Sequence, residues 1–370
     1  MDLKQKYEPL ISIITLTYNH QDYIAECIES VLCQTCENWE MVILDDASTD
    51  KTPYIIEQYM KKDKRIKFIR NEKNKGPLYL DENYNTALKE CKGEWIGYLE
   101  GDDVFTKKSL EYRVMALNEL DEKQRDQIAL IHGRAGRIWM ENKILDIVEY
   151  MHFNKKIVNN NPIGESLKYF LLGLNFIYSG SVLINREKLQ KIGGFIQHPK
   201  EIRLVDLPTW CFLALEGEFL FLDKVLYFWR RHEKSLTINY NIEISRNFIE
   251  FIKYFWEKNE NRIPDNLKRS LKPYLGYHAK LELIKNLTLI REFKEAKPLF
   301  EEVEKLDISN LLEEHLVFKL KRKATLMAYK LRFPYLLKFA LNIKRKKYDK
   351  ILGYYKPFFF KELGSLNCVE

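Results

Sequence analysis

The sequence predicts an α/β protein: a mixed, mostly parallel sheet flanked by helices, followed by an α-helical C-terminal region. Three observations predict it. Apolar runs of strand length alternate with helix-length segments up to about residue 107. Three of those runs end in polar clusters, "TYN", "DDAS" and "EGDD". Beyond Ser235 the apolar residues recur at helical spacing instead.

In chain order, "LISIITLTYN" (10–19) reads as a buried strand ending in polar residues. "YIAECIESVLCQT" then sets Ile24, Ile28, Val31 and Leu32 on one helical face. "WEMVILDD" (39–46) is a second buried strand, and Ser48, Thr49 and Asp50 offer caps for a helix through "TPYIIEQYMKK". "RIKFIR" (65–70) is a third strand, followed by a helix over roughly 79–91, the strand "EWIGYLE" and a helix from about Lys107. The middle region offers six short strands: "DQIALIHG", "GRIWME", "LDIVEY", "SGSVLIN", "GEFLFLD" and "VLYFWRR". Long helical patterns such as "IEISRNFIEFIKYFWEK" and "LKPYLGYHAKLELIKNL" come after them. The texture changes near 236–242, dividing the chain into residues 1–237 and an α-helical region, 238–370.

A chain of 370 residues buries a sizeable core, and 46% hydrophobic with 31% charged residues fits a soluble globular protein. No window approaches the ~20 apolar residues of a spanning helix, because "YFLLGLNFIYSGSVLI" is interrupted by Asn175, Ser179 and Ser181. The N-terminus lacks the layout of a signal peptide, so the expected location is cytoplasmic. Six cysteines are scattered, and the C-x-x-C of Cys33 and Cys36 has no second ligand pair for zinc. Of the net charge of +7, residues 319–350 hold twelve Lys or Arg against one Asp, leaving the rest at −4. That basic tail, interleaved with Leu, Phe and Tyr, suits an anionic membrane surface or a solvated helix face. No nucleic-acid motif accompanies it, so nucleic acid is not an expected partner.

The acids form an ordered series. Asp46 ends one strand, Asp102 and Asp103 end another, and Asp206 lies in "IRLVDLPTW". Three carboxylates in "EGDD" repel one another, a cost that a bound cation removes. Oxygen donors favour Mg²⁺ or Mn²⁺, which bridge phosphates through one or two carboxylates. A carboxylate held apart from the cluster serves as a general base. Capping is the alternative at both places, before the helix near Lys107 and before "LPTWCFLAL".

Taken together, "ISIITLTYNHQDYIAECIESVLCQTCENWEMVILDDASTDKT", "NKG…NTALKECKGEWIGYLEGDD", "SGSVLIN", "GGF", "VDLPTW" and "YFWRRHEKSLT" resemble family-2 glycosyltransferases of the GT-A fold. The resemblance covers about residues 9–237 and implies an inverting transferase acting on a nucleotide-diphospho-sugar, most simply a UDP-sugar. It implies that Leu16, Thr17, Tyr18 and Asn19 form the loop under the nucleotide, with Tyr18 against the base. Asp46 accepts a hydrogen bond from the base, Asn74 and Gly76 line the pocket, and Asn85 faces it from the next helix. Asp102, with Asp103 beside it, holds Mg²⁺ or Mn²⁺, and Asp206 deprotonates the acceptor, a glycan or lipid-linked hydroxyl. His232, with Arg230 or Arg231, closes over the diphosphate. Two positions depart from the family pattern: Glu100 stands where Asp is common, and Val205 precedes Asp206. The rival reading is a GT-A-fold binding or scaffold protein without turnover.

Overall fold

In the computed structural model, residues 7–139, 144–147, 155–232, 241–306, 316–332 and 358–359 are described. β1 (Ile11–Thr17) and β2 (Trp39–Asp45) are buried at every position, as expected where helices cover both faces of parallel strands. β1 pairs in parallel with β2 on one side and with β4 (Trp95–Tyr98) on the other. β3 (Ile66–Arg70) extends the parallel set beyond β2. The chain thus runs outward from β1 to β3 and returns on the far side as β4. That reversal opens a crevice at the carboxyl ends of the strands, where such sheets bind ligands.

The crossovers are α1 (Ile24–Leu32), α2 (Thr52–Lys62) and α3 (Leu80–Glu90). α1 buries Ile24, Cys27, Ile28 and Val31, the spacing of one helical face. Asp50 accepts the backbone N–H of Thr52 at 2.9 Å, satisfying a donor at the start of α2. α4 (Ser109–Asn118) packs beside β5 (Val104–Phe105), burying Leu110, Arg113, Val114 and Leu117.

Beyond β4 the sheet turns antiparallel. β8 (Leu183–Asn185) pairs with β4, β6 (Ile128–Trp139) with β8, and β7 (Ile144–Ile147) with β6. β10 (Phe358–Phe359) closes that edge against β7. Four strands expected as short pieces are two long ones, β6 and β9 (Glu218–Arg231), which pair in parallel along their length. Gly133, the end of the expected strand "DQIALIHG", lies inside β6 and serves close approach. A Cβ there would lie 2.5 Å from Leu226 Cδ1, and the register shifts beside it keep the strand continuous.

Of the described residues, those in 1–166, 175–233 and 357–370 form one compact unit, and those in 167–174 and 234–356 form a second. The expected boundary at 237/238 lies outside the described residues, as does 333–350 of the basic tail. The second unit is helical. Its helix Asn241–Asn259 buries Phe248, Ile249, Phe251, Ile252, Phe255 and Trp256, and Tyr277–Leu289 follows with a nearly continuous buried face. Residues 167–174 join this unit through backbone bonds from Gly276 to Leu171 and from His278 to Leu172, at 2.8 and 2.7 Å. Among the described residues, no helix is long and apolar enough to cross a membrane.

Candidate active site

The crevice is built on the last residues of β1. The carbonyl of Leu16 accepts the N–H of Gly101 at 2.9 Å, and that of Thr17 accepts the N–H of Asp46 at 2.9 Å. Both acidic loops therefore hang from one strand end. Gly101 is required by crowding, because a Cβ there would sit 2.7 Å from Thr17 Oγ1 and 3.0 Å from His20 Nδ1. Asn19 adopts φ 54°, donates its N–H to Ser48 Oγ at 2.8 Å and accepts from Thr49 N at 2.8 Å. Asn19 thus joins two loops. Tyr18 beside it is 43% exposed.

The adjacent aspartates of β2 divide their work. Asp45 is buried, accepts both the N–H and the hydroxyl of Ser48, and pairs with Arg70 at 3.3 Å. Burial raises its pKa, with the Ser48 bonds and Arg70 opposing. Asp46 turns to the next loop. It accepts from Asn71 Nδ2 at 2.7 Å, Lys75 N at 3.0 Å and Gly76 N at 2.9 Å. Asn74 Nδ2 donates to the Asp46 carbonyl at 2.9 Å. The structure therefore brings together Asp46, Asn74 and Gly76. It adds Asn71, which carries no motif and was missed. Asn85, expected to face the nucleotide, bonds the backbone of Phe195. Its amide donates to the carbonyl of Phe195 at 2.9 Å and accepts that residue's N–H at 2.8 Å. Both polar atoms are thereby used in clasping α3 to the 194–196 loop.

In "EGDD" the three acids diverge. Glu100 accepts the Tyr84 hydroxyl, and burial pushes it up to about 7; Tyr84 and Tyr98 oppose the rise, while the Asp102 and Asp206 charges add to it. Asp102 Oδ2 lies 3.0 Å from His232 Nε2. Burial works against its charge, but the His232 bond and the charges of His20 and His232 hold Asp102 below the usual carboxylate range. Asp103 was expected beside it as a metal ligand. It is instead 4% exposed and accepts the backbone N–H of Arg230 at 2.8 Å. Burial and the Asp102 charge keep its pKa well above the ordinary value.

Arg230 also departs from expectation. Only 2% exposed, it donates from Nε to the Asp102 carbonyl at 2.6 Å and from Nη2 to Glu26 at 2.6 Å. It braces the acidic loop from the end of β9 instead of closing over a ligand. His232 stacks on Tyr23 with ring centroids 5.1 Å apart, and His20 meets His232 edge-on at 6.5 Å. His20 is partly buried, and the buried atoms His20 Nδ1 and Thr17 Oγ1 find no partner among the described residues.

Asp206 begins the helix Asp206–Leu213. Its Oδ2 accepts from Asn175 Nδ2 at 3.2 Å, while its Oδ1 is buried with no partner among the described residues. Burial raises its pKa, partly offset by backbone N–H groups at the helix start. Among the described residues no three His, Cys, Asp or Glu side chains form a metal cluster. Asp102 with His232 still offers one carboxylate and one imidazole. That set fits a hard divalent cation which takes most of its remaining ligands from a diphosphate and water.

A mixed sheet with acidic loops at its switch point defines a nucleotide-type α/β transferase fold. Residues 12–193 match the family model "Glycosyl transferase family 2". The chain is 31% identical over 211 residues to the putative teichuronic acid biosynthesis glycosyltransferase TuaG of Bacillus subtilis (strain 168), covering 57% of this chain and 74% of that protein. It is 32% identical over 154 residues to the Escherichia coli UDP-Glc:alpha-D-GlcNAc-diphosphoundecaprenol beta-1,3-glucosyltransferase WfgD, covering 42% of this chain and 49% of that one. The mannosyltransferase PcManGT from Pyrobaculum calidifontis, solved with GDP-Man and Mn²⁺, shares the fold. Its TM-score is 0.53 at 16% identity, over 90% of this chain and 86% of that one. The chain belongs to glycosyl transferase family 2 and is a glycosyltransferase.

Proposed function

We propose that this protein is an inverting, metal-dependent transferase that moves a sugar from a UDP-sugar to a hydroxyl of a glycan or lipid-linked acceptor. One observation carries the reading. Asp206 offers a buried carboxylate oxygen with no partner among the described residues, and the charges of Asp102 and Asp206 both add to the raised pKa of Glu100. That supports a base and a phosphate-side acid in one crevice.

The residues divide the reaction among them. Tyr18 lies against the base of the nucleotide, over the loop of Leu16, Thr17 and Asn19. Asp46 takes three donors from its own protein, which leaves about one of its ~four acceptor directions for the uracil N–H. The Gly76 N–H holds that carboxylate in place, and Asn74 holds the Asp46 backbone carbonyl. Asp102 and His232 would hold Mg²⁺ or Mn²⁺, which neutralises charge on the departing diphosphate. Asp206 takes the proton of the acceptor hydroxyl as that oxygen attacks the anomeric carbon, and a single displacement inverts the centre. Burial supports this role by making Asp206 a stronger base than a solvated aspartate. The donor named for WfgD is a UDP-sugar and its acceptor a lipid diphosphate, which supports the substrate class proposed here. The basic segment 319–350 would hold the enzyme at the anionic inner face of a membrane.

The test is UDP release from UDP-glucose, UDP-N-acetylglucosamine and UDP-galactose, with Mn²⁺, with Mg²⁺ and with EDTA. We expect metal-dependent release that favours one donor. Absence of release, with metal-dependent UDP binding intact, would return the protein to the binding-scaffold reading.

A further inference from the structure

We propose that Gln197 is a positioning residue that fixes Asp206 relative to the Asn74–Gly76 loop, so that base and donor keep one spacing. The inference rests on the roles just proposed for Asp206 and for that loop. Residues 194–205 lead into the helix that presents Asp206 and contain only one short 3-10 turn, Lys200–Ile202. Side-chain bonds therefore decide where this segment lies.

Three such anchors stand out. Asn85 clasps Phe195 to α3. Thr209 Oγ1 accepts the N–H of Ile196 at 3.0 Å and donates to the Val205 carbonyl, closing the segment onto its own helix. Gln197 alone of these three reaches the residues that continue directly from Gly76. Its Nε2 donates to the Pro77 carbonyl at 2.8 Å and to the Lys200 carbonyl at 2.6 Å. Its Oε1 accepts the N–H of Asp81 at 3.2 Å. That N–H lies in the first turn of α3, where no intrahelical acceptor exists. One amide thus satisfies three backbone groups on both sides of the crevice.

Gln197 is 4% exposed, so water does not compete for these bonds. The nearby Lys200–Glu82 pair crosses the same gap at 2.6 Å, but both partners are about half exposed. Exposed pairs of that kind hold geometry weakly. A base must meet the attacking oxygen within hydrogen-bond reach, and a displacement of ~1 Å costs on the order of 10²-fold in rate. The Gln197 amide is placed to prevent that displacement.

The experiment is a double-mutant cycle on UDP release, in Mn²⁺, from whichever of UDP-glucose, UDP-N-acetylglucosamine and UDP-galactose the wild type turns over fastest. Gln197→Met keeps length and packing but removes the amide. Alone it should lower kcat by about 10–100-fold, with UDP affinity by calorimetry within about threefold of the wild type. In an Asp206→Asn background it should cost less than about threefold more, because a positioning residue acts through the base. Equal losses in both backgrounds, or a parallel loss of UDP affinity, would show that Gln197 only supports the fold or the nucleotide pocket. Gln197→Asn, too short to reach both carbonyls, runs through the same cycle if Gln197→Met melts below the assay temperature. Melting of both variants would also overturn the inference in favour of a purely structural amide. If Asp206→Asn retains release, the base assignment falls first. If Asp206→Asn loses release while Gln197→Met does not, only this inference falls.

Discussion

Asp102 and His232 lie 130 positions apart in sequence, yet Asp102 Oδ2 and His232 Nε2 are 3.0 Å apart. The contact exists because β9 ends beside the acidic loop. Arg230, two residues earlier, grips that loop by the Asp102 carbonyl and by the Asp103 side chain. The strand end therefore delivers both a brace and an imidazole to one aspartate. This arrangement leaves Asp102 as the acid of "EGDD" available to a cation, since Asp103 is bonded inward and Glu100 is held by Tyr84.

Two variants test that division. Asp102→Asn should abolish UDP release and remove the Mn²⁺ dependence of UDP binding while leaving the far-UV circular dichroism unchanged. His232→Ala should weaken apparent Mn²⁺ affinity by at least about 10–100-fold, because it removes the imidazole proposed to hold the ion together with Asp102. Asp103→Asn should leave Mn²⁺ affinity within about threefold. Metal titrations of UDP release measure all three, and an Asp103 variant as defective as Asp102→Asn would restore it as a ligand.

Asn85 yields the opposite kind of expectation. Because its amide is used on both sides by Phe195, Asn85→Ala should act on stability. Two hydrogen bonds of this type contribute about 1–3 kcal/mol together, and Gly194 packs against the same amide. Urea unfolding should show the loss in midpoint, while UDP affinity at a temperature where the variant is folded stays within about threefold. A selective loss of UDP affinity would place Asn85 at the nucleotide.

The sequence was readable where function rides on strand ends. β1, β2 and β4 are apolar runs that stop at polar residues, so Thr17 to Asn19, Asp46 and Glu100 to Asp103 announce themselves as a crevice. What could not be read are the contacts that join distant segments. Glu26 meets Arg230 across 204 positions, and Gln197 meets Pro77 across 120. No local pattern encodes them. "DQIALIHG" and "GRIWME" read as separate strands, as do "GEFLFLD" and "VLYFWRR", yet the chain runs extended through both joins. Glycine marks a turn and a close packing contact with the same letter.

The basic segment bears on where the enzyme works. Lys344, Arg345, Lys346 and Lys347 lie outside the described residues, so the expectation stands on charge alone. Attraction to anionic lipid is screened over ~8 Å at physiological salt. We expect the full chain to sediment with phosphatidylglycerol vesicles at low salt and to dissociate at high salt. Reversing those four charges to Glu should abolish sedimentation without lowering UDP release in solution. Unchanged sedimentation would make the segment an ordinary solvated surface.

The pH dependence follows from Asp206. Its carboxylate must be ionised to accept a proton, and burial raises its pKa above the ordinary aspartate value. The rate should therefore fall as pH drops through that raised pKa, beginning at a higher pH than for a solvated aspartate. At constant saturating donor and Mn²⁺, this acid limb in kcat reports the enzyme–donor complex. Asp206→Asn should lower kcat by about 10²–10⁴-fold and flatten the limb, because no proton acceptor remains to be titrated. UDP affinity should survive, since in the proposed mechanism Asp206 acts on the acceptor and not on the nucleotide. Asn175→Ala removes the side-chain donor that Asp206 Oδ2 has among the described residues. Losing a hydrogen bond to the charged form raises the pKa further. The acid limb of Asn175→Ala should thus move to higher pH while that of the wild type stays put. A limb that persists unchanged in Asp206→Asn would assign the base to another group.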